Sequence, residues 1–168
     1  MKIDFIIISC ILIIICFLPF ILFPYFGRKE EQSIKRKFKE EALKLGLNIG
    51  FELHWNTNRT GIDVQKKQLL LVQKPDMDFE IKKVDLNKVS NIKMETHFIN
   101  VKQQGKQVEI LSRIELEFHK NNYLAPIVVT VFDHDRNYNQ DFEIGNTQKL
   151  VAELQKYLSA QPVLKHTA

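Results

Sequence analysis

Between Asp4 and Arg28 the chain carries no charged side chain, and most of that stretch is Ile, Leu and Phe. A helix rises ~1.5 Å per residue, so about 20 such residues cover the ~30 Å hydrocarbon core of a bilayer. Pro19 is tolerated in a membrane helix, where neighbouring groups satisfy the freed carbonyl. Pro24, Tyr25 and Phe26 read as the interfacial end, with aromatic rings at headgroup level. A cleaved signal peptide fits poorly, because Asp4 offsets Lys2, the apolar core is long and Phe23-Pro24-Tyr25-Phe26 offers no small-residue cleavage site. A lipoprotein signal at Ser9-Cys10 would have few apolar residues before it and many after. The segment 1–27 is therefore expected to be an uncleaved, single-pass membrane anchor.

The flanks predict its orientation. Lys2 and Asp4 stand on one side. Arg28, Lys29, Lys35, Arg36, Lys37 and Lys39 stand on the other, within the distance over which basic residues favour the cytoplasmic side. The soluble part is expected at the cell membrane, in the cytoplasm. The spacing of Ile34, Phe38, Ala42 and Leu45 predicts a juxtamembrane helix over 28–46, ending near Gly46. Its basic residues offer a contact with anionic headgroups. Glu30, Glu31, Glu40 and Glu41 are interleaved with them, which favours a connector whose stripe packs on the domain or continues the anchor.

After Gly46 the period changes from helical to alternating. Ile49, Phe51, Leu53 and Trp55 share one face of a half-buried strand, and Glu52 and His54 the other. Further strands are expected around Ile62, at Leu69–Val72, at Phe79–Val84, through Ile92, Met94, Thr96 and Phe98, at Val108–His119 and at Ile127–Phe132. In the longest, Val108, Ile110, Ile114, Leu116 and Phe118 are expected to point inward. Turns fall at 56–61, 65–67, 103–106 and Asn121-Asn122. A last helix carries Leu150, Val151, Leu154, Tyr157 and Leu158 on one stripe, with Asn146 as N-cap and Pro162 beyond its end. The expected architecture is a mainly β, antiparallel roll of six or seven strands over 47–160, its seam or open end closed by that helix, with a tail at 161–168.

The pattern resembles the bacterial PH-like (pleckstrin-homology-like) domains, small proteins often tethered by membrane helices. The resemblance rests on Gly61-Ile-Asp-Val-Gln-Lys-Lys-Gln-Leu-Leu-Leu-Val, on the apolar spacing of Val84-Asp-Leu-Asn-Lys-Val-Ser-Asn-Ile and on the helix Thr147 to Leu158. It implies a two-sheet β-roll capped by the helix and a role in binding. Inositol-lipid-binding members carry several basic residues around the first hairpin, whereas this hairpin offers only Arg59.

Chemistry leaves few marks. With a net charge of +4 over 168 residues, charge alone gives no nucleic-acid signature. Cys10 and Cys16 both lie in the apolar run, so the remainder has neither disulfide nor thiolate. Glycine-rich phosphate loops, nucleophile elbows and paired histidines on a helix do not occur. The run Asp133-His134-Asp135-Arg136-Asn137-Tyr138-Asn139 spaces oxygens like a calcium loop. Tyr138 and Ile144, however, stand where that loop needs Gly and Glu. Glu115 and Glu117, beside Arg113 and His119, read as the wet face of a sheet. The chain is expected to be no enzyme and to need no cofactor or metal.

The expected function is a membrane-tethered binding or scaffold module for a protein partner, with self-association into homo-oligomers through the anchor left open. Trp55, His54 and Arg59 are its candidate contacts, since Trp and Arg are favoured binding anchors. The alternation with Phe51 and Leu53 gives Trp55 a competing place in the core. The alternative function is a lipid-surface or small-ligand sensor using the basic helix.

Overall fold

The computed structural model describes residues 2–103, 105–120, 125–137 and 140–158; the side chains of 2–10 and 21–28 are outside that description. The Asn121-Asn122 turn, the last two residues of the expected 47–160 domain and the tail 161–168 thus lie outside the described residues.

The anchor and the juxtamembrane helix, expected as two elements, form one helix, α1 (Lys2–Lys44). Both Pro19 and Pro24 fall within it. Gly46 stops it, as its sequence position predicts: φ is +60° there, the left-handed region that glycine enters without strain. The Gly46 N–H donates to the Leu43 carbonyl and the Leu47 N–H to Ala42, the two bonds that close a Schellman motif. Among the described residues no helix is long and apolar enough to cross a membrane. Side chains of the apolar run are described only for residues 11–20, and every one of those is exposed.

The other elements are β1 (Ile49–Trp55), β2 (Asn58–Asp63), β3 (Gln68–Gln73), β4 (Glu80–Asp85), a single 3₁₀ turn (Leu86–Lys88), β5 (Val89–Gln103), β6 (Lys106–Lys120), β7 (Ile127–Asp133) and α2 (Glu143–Gln155). They make two antiparallel sheets, β1-β2-β3-β4 and β5-β6-β7. This seven-strand, two-sheet fold with a C-terminal helix is compatible with the roll that the resemblance implies.

Alternation along β2 and β3 fails for a physical reason: every residue of β2 is buried, as is nearly all of β3. The first sheet is covered on both faces. Ile62, Leu69 and Leu71 enter the main core with Val84, Leu86, Ile114, Leu116, Phe118, Leu150 and Leu154. Leu70 and Val72 turn the other way and pack under Phe38 and Ala42 of α1. The α1 stripe was read correctly for Ile34, Phe38 and Ala42, all buried, while Leu45 lies past the helix end and is exposed. Burying side chains of this size stabilises by roughly 1.5–3 kcal/mol each, so this half of α1 belongs to the domain. Gly61 permits the approach: a Cβ there would lie 2.5 Å from Phe38 Cζ and 2.8 Å from Ile49 Cγ2.

The second sheet corrects another expectation. His97 pairs with Arg113 but Phe98 pairs with Leu111, so Ser112 is an extra residue on β6. Such a bulge shifts the alternation by one. Beyond it Leu111 turns inward, and Val108 and Ile110, expected inside, lie on the outer face with Val108 exposed. Below it, Ile114, Leu116 and Phe118 point inward as expected.

Helix α2 also begins earlier than expected. Phe142 is its N-cap in a left-handed conformation. Asn146, the expected cap, lies inside the helix, where its amide donates to the Asp141 carbonyl at 2.9 Å.

Candidate functional site

The first strand of one sheet and the first of the other, β1 and β5, are both edge strands, and α2 packs between them. Leu150 and Leu154 enter the core there, with Ile144 and Val151 at its margin. A polar latch fixes the start of the helix. Trp55 Nε1 donates to Glu143 Oε2 at 2.6 Å, and Asn56 Nδ2 donates to Oε1 at 2.7 Å. Asn137 Nδ2 in turn donates to Asn56 Oδ1 at 3.2 Å. Burial pushes the Glu143 carboxyl above its ordinary range, against the opposing pull of the hydrogen bonds from Asn56 and Trp55.

On the outside of this seam runs a groove between β5 and α2. A cleft of about 420 Å³ is lined by Met94 and Thr96 of β5 and by Ile144, Val151, Ala152 and Gln155 of α2. A second cleft of about 430 Å³ lies at the N-terminus of α2, between Phe98, Glu109 and Leu111 on one wall and Phe142 and Ile144 on the other. Ile144 lines both, so the two are continuous along the helix. Phe142 is 85% exposed and holds a φ of 51°, an unusual conformation for an aromatic residue. Among the described residues β5 pairs along this groove with β6 alone. Its other edge therefore presents backbone N–H and C=O groups, a template for an added strand. The groove is mostly apolar with a few polar side chains, the usual make-up of a site that takes peptide or small-molecule surface.

The residues singled out in the sequence sit elsewhere or inside. Trp55 is 2% exposed and belongs to the core and the latch. Arg59 is buried under α1, paired with Glu52, and its guanidinium lies 5.9 Å from the Phe38 ring centroid. Its Nη1 is buried without a hydrogen-bond partner, as is His54 Nε2. In this state Trp55 and Arg59 present no surface to a partner. Among the basic residues of α1, Lys29, Lys35, Arg36 and Lys39 are exposed, and Lys37 pairs with Glu41 at 3.0 Å. Arg28 is part of α1, with its side chain outside the description.

The suspected calcium loop is occupied by its own contacts. Asp133 pairs with Arg113 at 3.2 Å and accepts from the Asp135 N–H at 3.1 Å. Arg136 binds Glu80 at 2.6 Å and Asp76 at 3.4 Å; Tyr138 and Asn139 lie outside the described residues. Glu115 and Glu117 take part in a ladder of surface pairs, Arg113–Glu115 at 3.7 Å and His119–Glu117 at 3.2 Å. The cavity beside Asn58, Gln73 and Thr130 holds about 20 Å³, room for a water and little more.

Sequence reasoning missed the groove. Met94 and Thr96 were placed on a strand, but a strand edge and a helix flank become neighbours only through the closure of the roll. One signal was present: Phe142 is a lone large apolar residue in the polar stretch 133–143.

These features define a two-sheet antiparallel β fold with a C-terminal helix packed between two edge strands, a second helix docked on the first sheet, and a groove beside a strand edge that no other described strand pairs with. No protein-family model matches the chain, and neither a curated protein nor a solved structure does so.

Proposed function

We propose that this chain is a membrane-tethered, PH-like binding module that captures an extended segment of a protein partner in the β5–α2 groove. One observation carries the reading: a strand edge that no other described strand pairs with stands beside an apolar groove of about 420 Å³. Main-chain bonds to such an edge supply affinity, and side-chain pockets beside it supply selectivity. The tether is the apolar part of α1, whose described side chains, from Ile11 to Phe20, project from the helix without protein cover. An uncovered apolar surface of this kind marks an interaction site, and it is the uncharged sequence run 5–27, rather than the described part of the helix, whose length suits a bilayer core. The bias of basic residues toward 28–39 supports a cytoplasmic side for the domain.

Two experiments test this. Reporters active on only one side of the membrane, fused after His166, should signal from the cytoplasmic side; an external signal overturns the orientation, and no membrane association overturns the tether. For the groove, the full chain in lipid nanodiscs is used to select peptides from a displayed random library. Ala152→Arg, which puts a bulky cation into the groove from an exposed position, should weaken the selected peptides at least about tenfold, or ~1.4 kcal/mol. N-methylation of alternate peptide residues should do the same by blocking the edge bonds. Peptides indifferent to both changes would place binding elsewhere, and a library without enriched sequences would count against peptide capture.

A further inference from the structure

The outer face of the β5–β6 hairpin changes character at the Ser112 bulge. Below it the face is charged, with Lys93, Glu95 and His97 on β5 opposite Arg113, Glu115 and Glu117 on β6. Above it the same face carries Ile99 and Val101 opposite Ile110 and Val108. Ile99, Val101 and Val108 are exposed at 41%, 38% and 38%. The outer face of a sheet is ordinarily wet, so two adjacent aliphatic cross-strand pairs there need a partner. The hairpin end beyond them adds Lys106 on the same face and Lys102 at the tip on the other, both exposed, and no acid between Val101 and Val108.

The topology says what lies on that side. α1 leaves the domain where Glu30 pairs with Lys74 at 3.2 Å, at the end of β3. Lys74 donates its N–H to Thr57 in the β1–β2 turn, and Asn137 reaches Asn56 and Thr57. Arg136 holds Asp76 and Glu80. The loop after β7 therefore gathers at the end of the roll from which the apolar helix departs. Asp133, at the head of that loop, is level with Arg113 and His97. Among the described residues, β6 pairs with β5 alone past this rung. The hairpin runs on for about six residues, or roughly 20 Å at the rise of a strand.

We infer that the aliphatic outer face of the β5–β6 hairpin is a second membrane contact, lying on the bilayer surface with Ile99, Val101, Val108 and Ile110 in the interface and Lys102 and Lys106 on anionic headgroups. This rests on the tether proposed above. Lysine stems lie along apolar surface while their ammonium groups reach phosphate. With α1 docked rigidly on the roll, the two contacts would fix the domain's tilt and set the mouth of the β5–α2 groove close to the membrane.

The test uses the full chain with Cys10→Ser and Cys16→Ser, reconstituted in phosphatidylcholine–phosphatidylglycerol vesicles. A polarity-sensitive fluorophore is attached at Val101→Cys or Val108→Cys. Phe17→Cys reports the tether, and Lys88→Cys the opposite end of the roll. Probes at 101 and 108 should shift to the blue, lose access to iodide several-fold relative to the probe at 88, and be quenched by nitroxide-bearing lipids. Lys102→Glu with Lys106→Glu should reverse that shielding. Probes at 101 and 108 as accessible as the one at 88 would overturn the contact while the probe at 17 stays quenched. Shielding without nitroxide quenching would mean that a second protein copy covers the face, which also overturns it. An unquenched probe at 17 would instead sink the tether reading.

Discussion

Phe38→Ala is expected to destabilise the domain by about 3–5 kcal/mol, the cost of deleting a buried aromatic side chain. Phe38 is 2% exposed and packs with Ala42 over Leu70 and Val72. Its loss also removes the ring beneath the Arg59 guanidinium, whose Nη1 already lacks a hydrogen-bond partner. Because Trp55 is the single tryptophan, urea unfolding of the detergent-solubilised full chain can be followed by its fluorescence. Gly61→Val should act from the opposite side, since its Cβ collides with the same ring and overpacking costs about 1–3 kcal/mol. Both variants should expose Lys44 to trypsin. Rapid cleavage there with an unchanged urea midpoint would show that α1 undocks without supporting the roll. Wild-type resistance and stability in both would refute the docking.

The second large effect is at the latch. Glu143→Ala leaves the buried Trp55 N–H without its acceptor, a cost of about 1–3 kcal/mol, and frees the first turn of α2. The pH dependence has a definite sign. The folded carboxyl titrates above its ordinary value of 4.5, with burial the largest cause. In the window between 4.5 and that raised value the folded state binds more protons than the unfolded one, so stability falls as pH rises through it. Asp63 and Asp85 act in a separate window. Burial pushes each of them up, but their hydrogen bonds prevail and hold them below the usual range. Their contribution is present above the ordinary value and is lost on acidification below it. Glu143→Gln should therefore remove the decline on the neutral side of 4.5 and leave the acid limb intact. It also adds an amide donor facing Trp55 Nε1 or Asn56 Nδ2, so it is destabilising in its own right. Urea midpoints across that window that fall equally in wild type and Glu143→Gln would discard this account.

Much of the roll was legible in the sequence because its signals are local. Gly46 could be read as a stop since only a left-handed residue closes that helix end, and the stripe Ile34, Phe38, Ala42 already declared a buried face. Ile114, Leu116 and Phe118 alternate against Glu115 and Glu117 because one side of β6 is core and the other water. The expected six or seven strands and the closing helix followed from such periods and, for β3 and β7, from short apolar runs bounded by turn residues. Val108 and Ile110 show the limit: a single bulged residue at Ser112 leaves no compositional trace yet reverses every side chain beyond it.

What the sequence alone determined, then, is the set of elements and the apolar run that leads into them, since periodicity, glycine conformation and hydropathy are properties of neighbouring residues. The tertiary structure decided the rest. It drew Glu143-Ile-Gly-Asn into α2 by giving the Glu143 carboxylate one donor from β1 and one from the β1–β2 turn, which outweighed the capping preference of Asn146. It turned Trp55 and Arg59 from candidate contacts into buried ones, because α2 and α1 cover the two faces of the first sheet. It also made a groove of Met94, Thr96, Ile144 and Val151, side chains about 50 residues apart that meet only when the roll closes on α2. Contacts between distant residues depend on how elements pack, and no local pattern encodes that packing.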